Sequence, residues 1–235
     1  MNKYVNFVTD EDFLKCVEKV LNAYPSKESL ESESFDVLIN NKNTTDIFKV
    51  LFDMYYYQFD LDAWKHFEII RQNDKSINNK IGEFHQNLLG CVEGWVDLGR
   101  GDETKVDLKN EDETIFIELK NKHNTMNASS SKTCRENLEN ILKKYPNATV
   151  YWAVIIDKNY ISEDIPWEYK GNTNDQIRKI SGDKLYALVT GKEDAYEQLF
   201  SVISSAINDI LDADYYLPYL DHEKIEELKR KILNR

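Results

Sequence analysis

Three charged residues interrupt a segment otherwise patterned for β-structure: Asp107 in KVDLKN (105–110), and Glu118 and Lys120 in ETIFIELKN (113–121). Successive strand residues point to opposite faces. Val106 and Leu108 therefore face one way and Asp107 the other, while Glu118 and Lys120 share the face of Phe116, opposite Ile115, Ile117 and Leu119. The first half of the second run is apolar on both faces, so both are expected to be covered, and the charges begin where that cover ends. If the two runs are antiparallel neighbours, Asp107 lies beside Glu118. Two carboxylates at one end of a sheet can hold Mg²⁺, which takes oxygen ligands and keeps several waters. Such a cation stabilises charge on a scissile phosphate and makes water a better nucleophile, and an adjacent lysine can stabilise the phosphorane or orient the attacking water. A solvated sheet edge closed by salt bridges would carry the same letters.

The elements that must position these residues follow from apolar periodicity. A helix is expected over 10–24, with Phe13, Cys16, Val17, Val20 and Leu21 at helical spacing, then a polar, Ser-rich loop over 24–41 that leads to a short helix. One or two further helices are expected from Thr45 to about Gln72, and a separate helix over 76–90, capped at Ser76 and closed by Gly90. The period then changes to two: CVEGWVDLG, TKVDLKN and ETIFIELKN read as successive strands joined by turns. A helix over about 130–145 follows, with Ser129–Ser131 as its cap region, then the most apolar strand, ATVYWAVII, expected to be central. A long polar segment, 157–184, precedes an expected strand LYALVTG, a helix over about 193–211, and a charged C-terminal helix after YYLPYLD. The order describes an α/β fold with a mixed central sheet. The 235 residues are expected to form a single domain: a helical N-terminal region (1–75), an αβββαβ core (76–191) and C-terminal helices (192–235).

Composition narrows the function classes. With 42 Asp and Glu against 30 Lys and Arg, the net charge of −12 argues against a protein that coats nucleic acid, since phosphate contacts want a basic surface. A site-specific DNA enzyme is still compatible, because bound Mg²⁺ offsets acids within a site. Cys16, Cys91 and Cys134 are widely spaced and form no C-x-x-C pair, which points to free thiols in a reducing cytoplasm. The N-terminus has no apolar stretch of the signal-peptide kind, and no apolar run reaches the roughly 18 residues that span a bilayer.

Asp107 followed by Glu-x-Lys at 118–120, on strands with a helix before and after, resembles the PD-(D/E)xK nuclease superfamily, whose core order is αβββαβ. More specifically, IGEFHQNLLGCVEGWVDLG, VDLKN and IELKNKHNTMNASS resemble type II restriction endonucleases of the SinI type, which act around GG-N-CC or GG-W-CC targets. The resemblance is strong over about residues 76–135. It implies that Asp107 and Glu118 are metal-binding carboxylates, Lys120 the catalytic lysine and Mg²⁺ the cofactor. The reaction it implies is in-line attack of water on a phosphodiester of double-stranded DNA, leaving 5′-phosphate and 3′-hydroxyl ends. A palindromic target implies a two-fold homodimer, and a restriction enzyme implies a partner DNA methyltransferase that protects the host. The superfamily's first acid often follows proline; here Val106 precedes Asp107, and Asp97 in GWVDLG competes for the role.

Other residues have weaker claims. Glu83 is either an accessory acid on the helix before the sheet or a solvated helix residue, and His85 reads as a helix-surface histidine. Lys122, His123 and Asn124 suit phosphate contact or the turn into the next helix; the spacing of an HNH nuclease is absent. Ser130, with Ser129 and Ser131, suits a phosphate-binding helix start or a plain cap. Within the polar segment, Arg178 and Lys179, with Lys170, Asn172, Asn174 and Gln176, are the candidates for DNA contact. Tyr55–Tyr57 read as packing or subunit contact rather than a base-stacking platform. The competing functions are a repair or recombination nuclease of the same fold and a non-catalytic DNA-binding module.

Overall fold

The computed structural model describes residues 2–24, 46–99, 101–159 and 161–211, with residues 223, 224, 227 and 230 further on. The expected Ser-rich loop, the short helix it leads to and most of the expected C-terminal helix lie outside the described residues. Two compact units emerge, Lys19–Ile81 and Met1–Glu18 with Gly82–Arg235. Among the described residues, no helix is long and apolar enough to cross a membrane.

Helix α1 (Asp10–Leu21) has three acids in its first turn and buries Phe13, Cys16 and Val17. Helix α2 (Ile47–Tyr57) starts at Asp46, whose carboxylate accepts from the N–H groups of Phe48 and Lys49, and stops at Gln58 in the left-handed conformation. Helix α3 (Leu61–Leu89) is one continuous helix of 29 residues. The separate helix expected to begin at Ser76 is therefore not formed. Serine is a good cap, but NDKSINNK (73–80) holds neither Gly nor Pro, and Asn73 and Asn78 donate to the carbonyls of Ile69 and Asp74 four residues back. Nothing local stops propagation. Within the unit Lys19–Ile81, Val50, Trp64 and Ile69 are buried.

The second unit is built on a six-stranded mixed sheet in the order β1-β2-β3-β4-β6-β5. Its strands are β1 (Trp95–Asp97), β2 (Leu108–Asn110), β3 (Ile115–Lys122), β4 (Thr149–Ile156), β5 (Asp164–Pro166) and β6 (Ile177–Ser181). The β1/β2, β2/β3 and β5/β6 pairs are antiparallel, while β4 runs parallel to both β3 and β6. Helix α4 (Ala128–Lys144) crosses from β3 to β4. Its Cys134, Leu138 and Ile141 pack with Phe116, Val150, Ile177 and Trp167 in one core cluster. The cap of α4 is Asn127, accepting from the Ser130 N–H, so the serines occupy the first turn rather than the cap. Phe116 and Ile117 are both fully buried, as the two-sided apolar pattern of β3 requires, and β4 is central.

Two expectations fail beyond β4. LYALVTG is not a strand but most of helix α5 (Gly182–Thr190), which buries Leu185, Tyr186 and Val189 and ends at Gly191 in the left-handed region. A short apolar run fits either period, and tertiary packing decides it. A Cβ on Gly182 would lie 2.6 Å from the Ile155 carbonyl oxygen, so glycine lets α5 sit directly on β4. The missing strands come from the segment expected to be loop, as β5 and β6. Helix α6 (Ala195–Leu211) completes the described elements.

The end of α3 meets β1 in the same way. A Cβ on Gly90 would lie 2.5 Å from Asp97 Cβ and 3.0 Å from its backbone nitrogen. Gly90→Ala is expected to push α3 away from β1 and to lower stability by about 1–3 kcal/mol. The measurement is the urea unfolding midpoint; an unchanged midpoint would show that the contact yields without strain.

Candidate active site

Asp107, Glu118 and Lys120 meet at one end of the β2–β3 pair. The β2/β3 register places Leu108 opposite Ile117. One residue upstream, the Asp107 N–H donates to the Ile117 carbonyl at 2.9 Å, and Asp107 Oδ2 accepts from the Leu119 N–H at 2.6 Å. Asp107 thus bonds to β3 on both sides of Glu118. Alternation along β3 puts Lys120 on the same face, and Lys120 Nζ lies 2.5 Å from Glu118 Oε1.

The electrostatics are strained. Burial raises the Asp107 carboxyl above its usual range, only partly opposed by the Leu119 N–H and Lys120. Burial, then the Asp107 charge, raises Glu118. Burial works against the Lys120 ammonium, but Glu118 and Asp107 outweigh it and hold that lysine charged. One lysine thus stands against two desolvated acids. Burial and the Glu118 charge push the Cys134 thiol up to about 12, which disfavours the reactive thiolate. Cys16, Cys91 and Cys134 are all free thiols.

Asp97, the competing first acid, is held from α3. Gln86 Nε2 donates to Asp97 Oδ1 at 2.7 Å, Asn87 Nδ2 to Oδ2 at 3.2 Å, and the Gly99 N–H to Oδ1 at 2.9 Å. Gln86 Nε2 also reaches the Asp107 carbonyl at 3.3 Å. This amide clamp ties α3 to the strand carrying the site; the only signal of Gln86 and Asn87 in the sequence is their helical spacing from Glu83. Glu83, half-buried, lies three and four residues before them and so on the same side of α3.

His85 is not the surface residue expected. It is half-buried, its Nδ1 lies 2.8 Å from the hydroxyl of buried Tyr186, and its ring stands edge-on to that ring. Burial lowers its pKa from 6.5 to about 4. An unfolded His85 takes up a proton below about 6.5, whereas the folded residue resists until about 4. The unfolded state therefore binds more protons in that window, so stability is intact above it and falls as pH drops through it. The loss reaches up to about 3 kcal/mol. Comparing unfolding free energies across this range for wild type and His85→Gln checks the effect; parallel curves would refute it.

Lys122, His123 and Asn124 are exposed where β3 ends, and the His123 N–H donates to the Ile156 carbonyl. Ser130 is exposed in the first turn of α4, just past the same turn. These four residues stand at the Lys120 end of β3. Arg178 and Lys179 stand apart, on β6 rather than on a loop. Arg178 Nε pairs with Asp164 at 2.6 Å, tying β6 to β5. Lys179 lies 2.6 Å from Glu163 and 3.1 Å from Asp157. Register lines Lys179 up with Trp152 and Trp152 with Glu118. Trp152 Nε1, between them, is buried with no hydrogen-bond partner.

Among the described residues, no group of three or more potential metal-ligating side chains stands together. The available donors are the two carboxylates. Their bonds to Leu119 and Lys120 use Asp107 Oδ2 and Glu118 Oε1, so Oδ1 and Oε2 stand outside those two bonds. That oxygen pair beside a lysine suits a hard divalent cation and a phosphate.

Comparison with known proteins gives the family. The model of the Eco47II restriction endonuclease family matches residues 5–212. Type II restriction enzyme Sau96I of Staphylococcus aureus is 35% identical over 223 residues, 90% of this chain and 82% of that protein. Type II restriction enzyme Eco47II of Escherichia coli is 32% identical over 218 residues, 88% of each chain. Matches of this extent show that the chain belongs to the Eco47II restriction endonuclease family, as a type II restriction endonuclease.

Proposed function

We propose that the protein hydrolyses double-stranded DNA at a short palindromic site of the GG-N-CC or GG-W-CC kind, with Mg²⁺, on a PD-(D/E)xK core. The observation that carries this reading is the convergence of Asp107, Glu118 and Lys120 at one end of β2 and β3, within the element order αβββαβ from α3 to β4. The donor set suits Mg²⁺, which binds through one or two carboxylates and fills its remaining positions with water and phosphate oxygen. Asp107 and Glu118 would hold it. When bound, it supplies positive charge at the scissile phosphate and makes water a better nucleophile.

The chain's own residues do the rest. Glu118 aims the Lys120 ammonium, which donates to a phosphate oxygen or to the attacking water. The Leu119 N–H fixes the Asp107 carboxylate, and the Gln86 clamp fixes the strand behind it. Glu83 acts as an accessory acid on the same side of α3. Lys122, His123, Asn124 and Ser130 contact phosphate along the same edge. Arg178 and Lys179 serve first to bind acids, so a DNA contact from either requires its ion pair to open. Two copies of the chain cut the two strands of a palindrome, in the host cytoplasm, alongside a methyltransferase for the same site.

Digestion of unmethylated phage DNA with Mg²⁺ or EDTA, beside Glu118→Ala, tests the reading. Discrete fragments that need Mg²⁺ and vanish in the variant are expected, and sequencing their ends gives the target. Cutting confined to branched or flapped DNA would indicate a structure-specific nuclease. No cleavage of any duplex by the folded wild type would remove the reading.

A further inference from the structure

We infer that α2 is a self-association surface, covered in solution by a second copy of the chain. Its sequence, IFKVLFDMYYY, is apolar almost all round, the pattern of a buried helix. Yet Val50 is its one buried residue. At 100° per residue, Ile47, Phe48, Leu51, Phe52, Tyr55 and Tyr56 fill one half of the cylinder. They are exposed by 61, 71, 48, 76, 84 and 82%, respectively. Val50 and Tyr57 lie on the opposite side, where Tyr57 stacks on Phe59 at 5.4 Å and packs against Phe67 at 5.9 Å. The helix thus already has an inner face, and the exposed half is a second one.

Size and charge select the occupant. With roughly 150–250 Å² for each fully exposed aromatic side chain, the six residues present on the order of 800 Å². A monomer rarely leaves so large a contiguous apolar patch open, and a standard interface buries about 800 Å² per partner. Nucleic acid does not fit, because the one cation of α2, Lys49, is paired with Asp53 and Asp46, Asp60 and Asp62 flank the helix. The same acids repel an anionic lipid surface. A second copy offers an identical apolar half-cylinder, and two-fold symmetry lets a patch meet itself. The choice of a second copy rests on the two-copy reading above, whereas the need for a cover rests on exposure alone.

The test is the molar mass of the full chain across a wide range of concentration, for wild type, Phe52→Glu and Tyr55→Ser. Both variants alter exposed side chains, and far-UV circular dichroism checks that helix content is kept. The wild type is expected to have twice the chain mass, and Phe52→Glu to raise the dimer dissociation constant by on the order of a hundredfold. A dimeric wild type with equally dimeric variants would overturn α2 as the surface while leaving the two-copy reading intact. A wild type that stays monomeric at every concentration would overturn both, including through coverage of α2 by its own chain. If Phe52→Glu loses helix content, Tyr55→Ser decides between the same outcomes.

Discussion

Asp107→Asn is expected to yield a protein that cuts DNA about a thousandfold more slowly, yet unfolds no more easily than the wild type. The two halves of this expectation have separate causes. Asparagine keeps an oxygen that can accept from the Leu119 N–H, so the strand contact survives. It removes one of two acids that burial and mutual repulsion already disfavour in their charged forms. Relief of that repulsion holds the unfolding midpoint level or raises it, as at sites where function is kept at the expense of stability. The carboxylate charge needed to bind a divalent cation is lost. Single-turnover cleavage of a duplex with Mg²⁺, set beside urea unfolding, measures both. A midpoint that fell with little change in cleavage would make Asp107 a structural residue.

Lys120→Met is expected to lose activity to a similar extent, about a thousandfold, but with the opposite effect on stability. Its ammonium lies 2.5 Å from Glu118 and its charge also favours the ionised form of Asp107. Methionine fills the volume and leaves two half-buried carboxylates without their cation, which costs about 1–3 kcal/mol in a site as partly accessible as this one. Mg²⁺ should return part of that loss, because a ligand of the folded state stabilises it by mass action. The same two measurements serve, with Mg²⁺ present and absent in the unfolding experiment. Equal stability for Lys120→Met and Asp107→Asn would contradict the charge balance described for the site.

The juxtaposition of Asp107 and Glu118 was legible in the sequence because it depends on local rules. Period-two alternation sets faces, and a short turn between two strands makes them antiparallel neighbours. The central place of β4 was legible for a similar reason, since only a strand covered on both faces can be so continuously apolar. What the sequence hid is tertiary. Ser76 carries a cap signal, but α3 runs through it because no breaker is near. LYALVTG has a length and apolarity that fit strand or helix, and the close approach allowed by Gly182 resolves it. IRKIS, with two basic residues among three others, looks like a polar loop until Arg178 and Lys179 find Asp164, Asp157 and Glu163. Gln86 and Asn87 gave no sign of gripping Asp97, because their partner lies ten or eleven residues away across a helix end.

The most direct measurement of the central claim is Mn²⁺ binding, followed by electron paramagnetic resonance, in wild type, Asp107→Asn and Glu118→Ala without DNA turnover. If Asp107 and Glu118 hold the divalent cation, the wild type binds Mn²⁺, Mg²⁺ displaces it, and each variant weakens binding by at least about tenfold. Undiminished binding in both folded variants would place the cation elsewhere and contradict the site.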